Sequence, residues 1–351
     1  MGRRALWNSC ISCHGRTALR SGNLAGKAVV VLASGAALAH LLLAARTSDP
    51  LPSWNEGAAK QAILKFVADV TAPDSPSFVP ANQRIATFDN DGTLWVEQPM
   101  YTEMAFSIAR ARSLASSHPE WRNRQPFKAA IEGDRNGLAD AGERGAVELL
   151  LATHSGLTSE DFATAVTSWI AHAEHPRFHR LYTRCVYQPM LEVISYLQAN
   201  EFKTYIVSGG TLEFMRPWVE RTYGIPPEQT IGSSIQTEFQ SLDARPVLMQ
   251  LPRLEFVDDK AGKPVAIGKF IGRRPIASFG NSDGDQQMLE WTAAGTGSHL
   301  MLVVHHTDQQ REYAYDRNSP VGTLDKLLTE AEAKAWIVVN MKLDWKTIFP
   351  I

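Results

Sequence analysis

A short apolar run that ends in two carboxylates constrains this sequence more than any other feature. Ile85-Ala-Thr-Phe88 has the pattern of a buried strand, and Asp89-Asn-Asp91-Gly-Thr93 follows it directly. Ligands of a parallel α/β sheet bind beyond the carboxyl ends of its strands, where Asp89 and Asp91 would lie. Two carboxylates at this spacing can share a cation while one attacks and the other moves a proton. The alternative is an exposed acidic turn that closes a strand.

The periodicity of the rest of the chain predicts alternating helices and strands after one all-helical stretch. Ser53 is expected to cap a helix that runs through Val70. Further helices are predicted at 102–116, 143–153, 158–173, 189–199, 211–223 and 283–293. Further strands are predicted at 203–207, 276–279 and 300–304, with a small β-flap over 231–259. This order predicts a doubly wound α/β fold, with a parallel sheet, helices on both faces and an inserted α-helical cap.

The same pattern divides the chain into three parts. Residues 1–48 are expected to be a signal peptide or membrane anchor, residues 49–99 and 185–351 the α/β core, and residues 100–184 the helical cap. A cap inserted between strands would close over the site as a lid, which favours small substrates.

The first 48 residues have the pattern of a targeting segment. A basic stretch precedes the apolar run 28–45, and the polar sequence Asp49-Pro-Leu-Pro52 follows. The run is at the short edge of the roughly 20 residues that cross a bilayer, so a cleaved signal and a retained anchor both stay open. We therefore expect export to a periplasmic or other extracytoplasmic compartment, with membrane contact only through this segment.

Composition limits the partners of the chain. The formal net charge is −2, and no long run of Lys or Arg is present, so nucleic acid is not an expected partner. Cys10, Cys13 and His14 match the haem-attachment pattern C-x-x-C-H, but their place before the export segment indicates a chance match. Cys185 is the third cysteine, and alone it can form no internal disulfide. A small molecule is the expected partner.

A second motif, Ser208-Gly209-Gly210, follows an apolar strand and precedes a helix. The hydroxyl of Ser208 and the following N–H groups could hold phosphoryl oxygens at the helix N-terminus. The same three residues are also a common turn between a strand and a helix.

A third motif places Lys263 just before Pro264, which suits the first turn of a helix. A cation there could neutralise the nucleophile and a phosphate together. Lys260 and Lys269 compete for this role.

The fourth motif, Asn281-Ser-Asp283-Gly-Asp285, again follows an apolar strand and precedes a helix. Its oxygen ligands suit a hard cation such as Mg²⁺.

In order, spacing and placement at strand ends, the four motifs resemble the haloacid dehalogenase superfamily, and its phosphoserine-phosphatase-like branch in particular, over residues 85–304. The resemblance implies Asp89 as nucleophile, Asp91 as acid/base that also binds metal through its backbone carbonyl, and Lys263 as charge neutraliser. It implies phosphate binding by Thr93, Ser208, Gly209 and Gly210, and a Mg²⁺ site formed by Asp89, Asp91, Asn281, Asp283 and Asp285.

This chain departs from the family pattern at Asn281, where the family usually has Asp. The direct ligand is therefore Asn281 itself, or Asp283 or Asp285 in its place. Glu97 and Glu103 fall where the family places substrate-selecting residues, although exposed helix acids are the commoner explanation.

The expected function is Mg²⁺-dependent hydrolysis of a small phosphorylated metabolite, a phosphomonoester, through an aspartyl-phosphate on Asp89. A phosphotransferase would use the same residues with another acceptor. A non-catalytic binding module would follow if Asn281 abolished metal binding, and a c-type electron carrier would need haem on Cys10 and Cys13.

Overall fold

The strand that precedes Asp89 lies at the centre of the sheet. In the computed structural model, which describes residues 49–351, all four residues of strand Ile85–Phe88 are buried. Parallel strands covered by helices on both faces are apolar without alternation, which explains why this run forms an internal strand. Phe88 stacks on Phe279 of the adjacent strand, with ring centroids 4.3 Å apart.

Seven strands form one sheet. In chain order they are β1 (Ile85–Phe88), β2 (Lys203–Thr211), β3 (Thr230–Leu242), β4 (Arg245–Phe256), β5 (Ala277–Gly280), β6 (Leu300–His305) and β7 (Ile337–Asn340). The spatial order is β4-β3-β2-β1-β5-β6-β7, and every neighbouring pair is parallel except β3 and β4. With its flanking helices this is a Rossmann-like α/β fold, and the predicted fold class is confirmed.

The helices fill the connections between the strands. They are α1 (Ala58–Thr71), α2 (Thr102–Leu114), α3 (Phe127–Glu132), α4 (Arg135–His154), α5 (Ser159–Ile170), α6 (Gln188–Ala199), α7 (Leu212–Tyr223), α8 (Gly262–Ala266), α9 (Gln286–Ala293), α10 (Lys326–Ala333) and α11 (Met341–Asp344). Short 3₁₀ turns lie at Ala81–Gln83, Pro119–Asn123, Tyr182–Arg184, Pro227–Gln229 and Asp283–Asp285. A π-helical turn at Ile267–Ile271 continues α8.

Helices α2 to α5 occupy the segment predicted as a cap. One apolar cluster, which includes Trp121, Phe127 and Leu149, lies within this segment. A second apolar cluster joins Phe106 and Phe162 of the segment to residues around the sheet. The helices therefore pack both on one another and on the rest of the molecule, and the division into cap and core domains stays a prediction.

Two helix starts differ in how well they follow the sequence signals. The side chain of Thr158 accepts a hydrogen bond from the N–H of Asp161 and caps α5, at the start of the helix predicted over 158–173. The cap predicted at Ser53 is wrong, because α1 begins at Ala58 after Gly57. The N–H of Ser53 instead donates to Glu192 at 2.9 Å, so a long-range contact has taken the place of a local one.

The predicted flap is a hairpin that is continuous with the sheet. The first residues of β3 pair in parallel with β2, and the strand then continues as an antiparallel arm with β4. Asp243 and Ala244 at its turn both have positive φ, as two-residue hairpin turns require. The N–H of Gln250 in β4 donates to the carbonyl of Leu157 at 2.9 Å, which joins the hairpin to the helical segment.

Several sequence predictions fall on residues 1–48. The apolar run 28–45 and the Cys10-x-x-Cys13-His14 pattern lie outside the described residues. Across the part of the chain that is described, no helix combines the length and the apolar character needed to span a bilayer. Cys185 is buried and carries a free thiol.

Candidate active site

The carboxyl ends of three central strands bring the predicted motifs to one edge of the sheet. Phe88 of β1 pairs with Ile206 of β2 and with Phe279 of β5, so the residues that follow these three positions lie side by side. A cavity of about 310 Å³ opens at this edge. Its lining includes six of the predicted residues: Asp89, Asp91, Ser208, Gly209, Gly210 and Lys263.

Lys263 is the electrostatic centre of the cavity. Its Nζ donates to Asp89 Oδ1 and to Asp285 Oδ1, both at 2.6 Å, and to the carbonyl of Val207 at 2.9 Å. The side chain is only 2% exposed. Burial acts to lower the pKa of Lys263, but the charges of Asp285 and Asp89 outweigh it and raise the pKa above its ordinary value. Lys263 is therefore a permanent cation.

The structure distinguishes Lys263 from Lys260 and Lys269, the two alternative candidates for the cation beside Asp89. Lys260 has a largely exposed side chain, and its nearest acid is Asp259 at 3.8 Å. Lys269 lies over the ring of Phe270 and lines a different cavity. Only Lys263, among the three, contacts Asp89.

Asp89 has two oxygens in different surroundings. Oδ1 is held by Lys263, whereas Oδ2 has only the hydroxyl of Thr93 near it, at 3.5 Å. Burial raises the pKa of Asp89 well above its ordinary value, the charge of Asp285 adds to this, and Lys263 opposes it. The less engaged oxygen of Asp89 is the one available to an incoming group.

Asp91 lines the cavity together with Ser208. Trp95 Nε1 donates to Asp91 Oδ1 at 2.8 Å, and the indole of Trp95 is itself fixed by stacking on Trp218. Burial raises the pKa of Asp91 to about 6, although the hydrogen bond from Trp95 opposes the shift. A carboxyl group with a pKa near 6 can both give and take a proton near neutral pH.

Strand β2 extends beyond the predicted strand 203–207, so Ser208, Gly209 and Gly210 lie within its last residues, and this segment is held from both sides. Gly210 N–H donates to Ser208 Oγ at 3.2 Å, which leaves the hydroxyl hydrogen of Ser208 free for another acceptor. Thr211, the cap of α7, donates from its backbone N–H to Glu103 Oε2 at 2.9 Å and from its hydroxyl to Glu103 Oε1. His154 lies 3.2 Å from the same carboxylate. Through Glu103, the helical segment thus contacts the end of β2 directly.

Asn281 lies buried beside Asp89 rather than on the open wall of the cavity. Its Nδ2 donates to Glu97 Oε1 at 2.6 Å, and its Oδ1 accepts from the hydroxyl of Thr93 at 3.2 Å. Thr93 is fully buried, so its hydroxyl orients Asn281 and Asp89 and does not face the cavity where a phosphate would lie.

The two acids of the fourth motif, Asp283 and Asp285, make different contacts. Asp283 Oδ1 accepts from the N–H groups of Asp325 and Leu327 at 2.9 and 3.0 Å, so it caps the start of α10. Asp285 is bound to Lys263 through Oδ1 and to the N–H of Asn281 through Oδ2. Of the three candidate ligands, these contacts favour Asn281.

Glu97 and Glu103 differ from the exposed helix acids that the sequence suggested as the commoner case. Both are buried and hydrogen-bonded, and both line the cavity. Burial raises the pKa of Glu97 well above its ordinary value, against the hydrogen bond from Tyr315.

His306, which directly follows β6, supports the turn after β1. Its Nε2 lies 2.8 Å from the carbonyl of Gly92, which can only accept, so this nitrogen carries the hydrogen. The other ring nitrogen lies 3.1 Å from Glu312.

The residues at the strand ends fit a hard divalent cation. Burial raises the pKa values of Asp89, Asp91 and Glu97, and a divalent cation beside them would stabilise their charged forms. Carboxylate and amide oxygens are the ligands Mg²⁺ prefers, usually with water. Within residues 49–351 no three Asp, Glu, His or Cys side chains are grouped closely enough to bind a metal ion by themselves. A complete set of metal ligands would therefore also need Asn281 Oδ1, a backbone carbonyl or substrate oxygens.

The chain belongs to the haloacid dehalogenase-like hydrolase family, because the model of that family matches residues 86–290, more than half of the chain. The match covers the segment from β1 through the fourth motif. A search among curated proteins finds no significant match.

Several solved structures are similar to this chain at low identity, and the two with TM-scores of 0.50 or more share its fold. A functionally unknown protein from Anaerococcus prevotii DSM 20548 is 15% identical, with 86% of this chain and 98% of that chain covered and a TM-score of 0.56. A protein of unknown function from Bordetella pertussis Tohama I is 16% identical, with 74% and 99% covered and a TM-score of 0.50. A probable phosphoserine phosphatase from Vibrio cholerae is 14% identical, with 81% and 69% covered and a TM-score of 0.38.

Replacing Lys263 by Met should destabilise the protein strongly. Removing one partner of a buried ion pair costs about 3–5 kcal/mol, and here two carboxylates, Asp89 and Asp285, would lose their cation. The deficit should shrink from pH 8 to pH 5, because burial raises the pKa of Asp89 and its carboxyl group can then be protonated. Urea unfolding measures it, with Lys260→Met as the exposed control. Equal stability of the two variants would contradict the central place of Lys263.

Proposed function

We propose that this protein is a Mg²⁺-dependent phosphatase that hydrolyses small phosphomonoesters through an aspartyl-phosphate on Asp89. The observation that carries the proposal is the asymmetry of Asp89. One oxygen is held by a buried lysine, and the other lacks a strong partner at the base of a cavity bordered by Asp91 and Ser208. Membership of the haloacid dehalogenase-like hydrolase family supports the same chemistry.

In the first step, Asp89 Oδ2 attacks phosphorus and the bond from phosphorus to the leaving oxygen breaks. Asp91, whose pKa lies at about 6, gives its proton to that oxygen as the alcohol departs. Lys263 holds the nucleophile in place, and the hydroxyl of Ser208 donates to a phosphoryl oxygen. The product of this step is an aspartyl-phosphate.

In the second step, the carboxylate of Asp91 takes a proton from water as the water oxygen attacks phosphorus. The bond between phosphorus and Asp89 then breaks, which releases inorganic phosphate and restores the free carboxylate. A phosphotransferase would differ only in the acceptor that replaces water. Bound Mg²⁺, held by Asp89, Asn281 and the backbone carbonyl of Asp91, would neutralise phosphoryl charge.

The cavity favours a small substrate without an extra negative charge. At about 310 Å³ it suits a small metabolite, in keeping with the size range of small-molecule sites. Lys263 is the only Lys or Arg among the described residues that line it, and Asp89 and Asp285 already share its charge. Glu103 and Glu143 line the same cavity. A carboxylate on the alcohol part of the substrate would find no cation.

The roles of the two aspartates can be separated by their amide variants. Asp89→Asn should abolish turnover, because an amide cannot form the acyl-phosphate. Asp91→Asn keeps the nucleophile and loses the proton carrier, which typically contributes about 10²–10⁴-fold. With an activated aryl phosphate, whose leaving group needs little protonation, the first step should outpace hydrolysis. Phosphoenzyme should then accumulate on Asp89.

Intact-mass analysis of acid-quenched Asp91→Asn protein checks this expectation. One added phosphoryl group should appear, should be labile to hydroxylamine, and should map to the peptide that contains Asp89. Phosphate found on Ser208 or on a histidine would overturn the mechanism. Normal turnover by Asp89→Asn would overturn the proposed function as a whole.

Substrate charge gives an independent test of the cavity. Propyl phosphate and 2-aminoethyl phosphate should have kcat/KM at least about tenfold above that of phosphoglycolate, since 1.4 kcal/mol of repulsion is a factor of ten. Glu143→Gln should narrow the gap, because Glu143 lines the cavity and makes no contact with the catalytic residues described above. Phosphoglycolate as the preferred substrate would contradict this assignment of the cavity.

We also propose that the protein is exported, on the basis of the basic and apolar pattern in residues 1–48. Cell fractionation should recover it outside the cytoplasm, either free or attached to the membrane. A pool confined to the cytosol would refute export and leave the proposed chemistry untouched.

A further inference from the structure

Asn281 presents the two ends of its amide to opposite sides. Nδ2 donates to Glu97 Oε1 at 2.6 Å. Oδ1 accepts from the hydroxyl of Thr93 at 3.2 Å, and that same hydroxyl lies 3.5 Å from Asp89 Oδ2. The carbonyl end of the amide is therefore on the side of the proposed nucleophile, and the NH₂ end points away from it.

Glu97 is itself held in place by groups from distant parts of the chain. It is 2% exposed, and the hydroxyl of Tyr315 donates to its Oε1 at 2.7 Å. Gly92, with φ of +75°, leaves the space that the pair needs. A Cβ at position 92 would lie 2.0 Å from Asn281 Nδ2 and 2.4 Å from Glu97 Oε1. The contact between Glu97 and Asn281 is thus built into the turn after β1.

The two ends of an asparagine amide are not equivalent toward a cation. The carbonyl oxygen can bind a hard cation, whereas the NH₂ group is a donor and cannot. The two ends are also nearly equal in size, so only a hydrogen-bond partner can decide which one faces a site. A carboxylate has two oxygens that can both act as ligands, and an aspartate at this position would need no such partner.

We propose that Glu97 is a positioning residue for the cation site. By accepting from Nδ2 of Asn281, it turns Oδ1 toward Asp89 and so lets a neutral asparagine serve as an oxygen ligand. The proposal rests on the proposed function only in requiring that Mg²⁺ binds beside Asp89. Partners that orient a metal ligand in this way typically contribute about 10–100-fold to metal affinity.

Mg²⁺ binding to a small set of variants tests the proposal without any measurement of turnover. Glu97→Met removes the acceptor at similar length and should weaken Mg²⁺ binding by about 10–100-fold. Glu97→Gln keeps a carbonyl oxygen at the same place and should retain more affinity than Glu97→Met. In an Asn281→Asp background, Glu97→Met should not weaken binding, because a carboxylate needs no orientation. Isothermal titration calorimetry gives the affinities, and thermal unfolding without Mg²⁺ shows that each variant is folded.

The following results of the Mg²⁺ binding measurements would contradict the proposal or the function on which it rests. Wild-type affinity in Glu97→Met would overturn the proposal, and so would an equal loss with and without the Asn281→Asp change, which would mark a general structural effect. Equal losses of Mg²⁺ affinity in Glu97→Gln and Glu97→Met would also overturn the proposal, because they would show that the charge of Glu97 matters and the orientation of the Asn281 amide does not. If Glu97→Met failed to fold, the comparison of Glu97→Gln in the two backgrounds would still decide. No Mg²⁺ binding by the wild-type protein would instead refute the metal dependence of the proposed function.

Discussion

The ammonium group of Lys263 is the interaction on which the rest of the site depends. It has three hydrogens and three acceptors, which come from Asp89 after β1, Val207 in β2 and Asp285 after β5. The acceptors lie within or shortly after three neighbouring strands, so the same contact fixes the spacing of these strands at this edge of the sheet. A buried charge is tolerated only when it is paired and fully hydrogen-bonded, and this geometry satisfies both conditions.

Sequence could predict the parts of the site that local information determines. The run Ile85-Ala-Thr-Phe88 before Asp89 indicates a buried strand, and the turn that follows it needs only Gly92 in a left-handed conformation. The helix start at Thr158 was likewise readable from its own neighbours. Fold class followed from the alternation of such elements, because short right-handed connections leave few arrangements.

Long-range contacts account for what the sequence could not supply. The hydroxyl of Tyr315 donates a hydrogen bond to Glu97, 218 residues away in the chain, and no sequence pattern near either residue predicts this pair. Ser53 has a good residue type for a helix cap, but its N–H is engaged by Glu192, and the helix begins later. Asp283 looked like a metal ligand because it follows a strand, yet it caps a helix that was not predicted.

Two further acids of the cavity, Asp91 and Glu97, are positioned by neutral groups, and this has an electrostatic consequence. Trp95 holds Asp91, and Asn281 and Tyr315 hold Glu97, through hydrogen bonds from an indole, an amide and a phenol. Neutral donors fix the position of a carboxyl group and leave its charge uncancelled, and burial then raises its pKa. The one lysine that lines the cavity in the described part of the chain is already shared by two acids. A dianionic phosphate would enter such a cavity against uncancelled negative charge, and this repulsion is the physical argument that supports the Mg²⁺ of the proposed function.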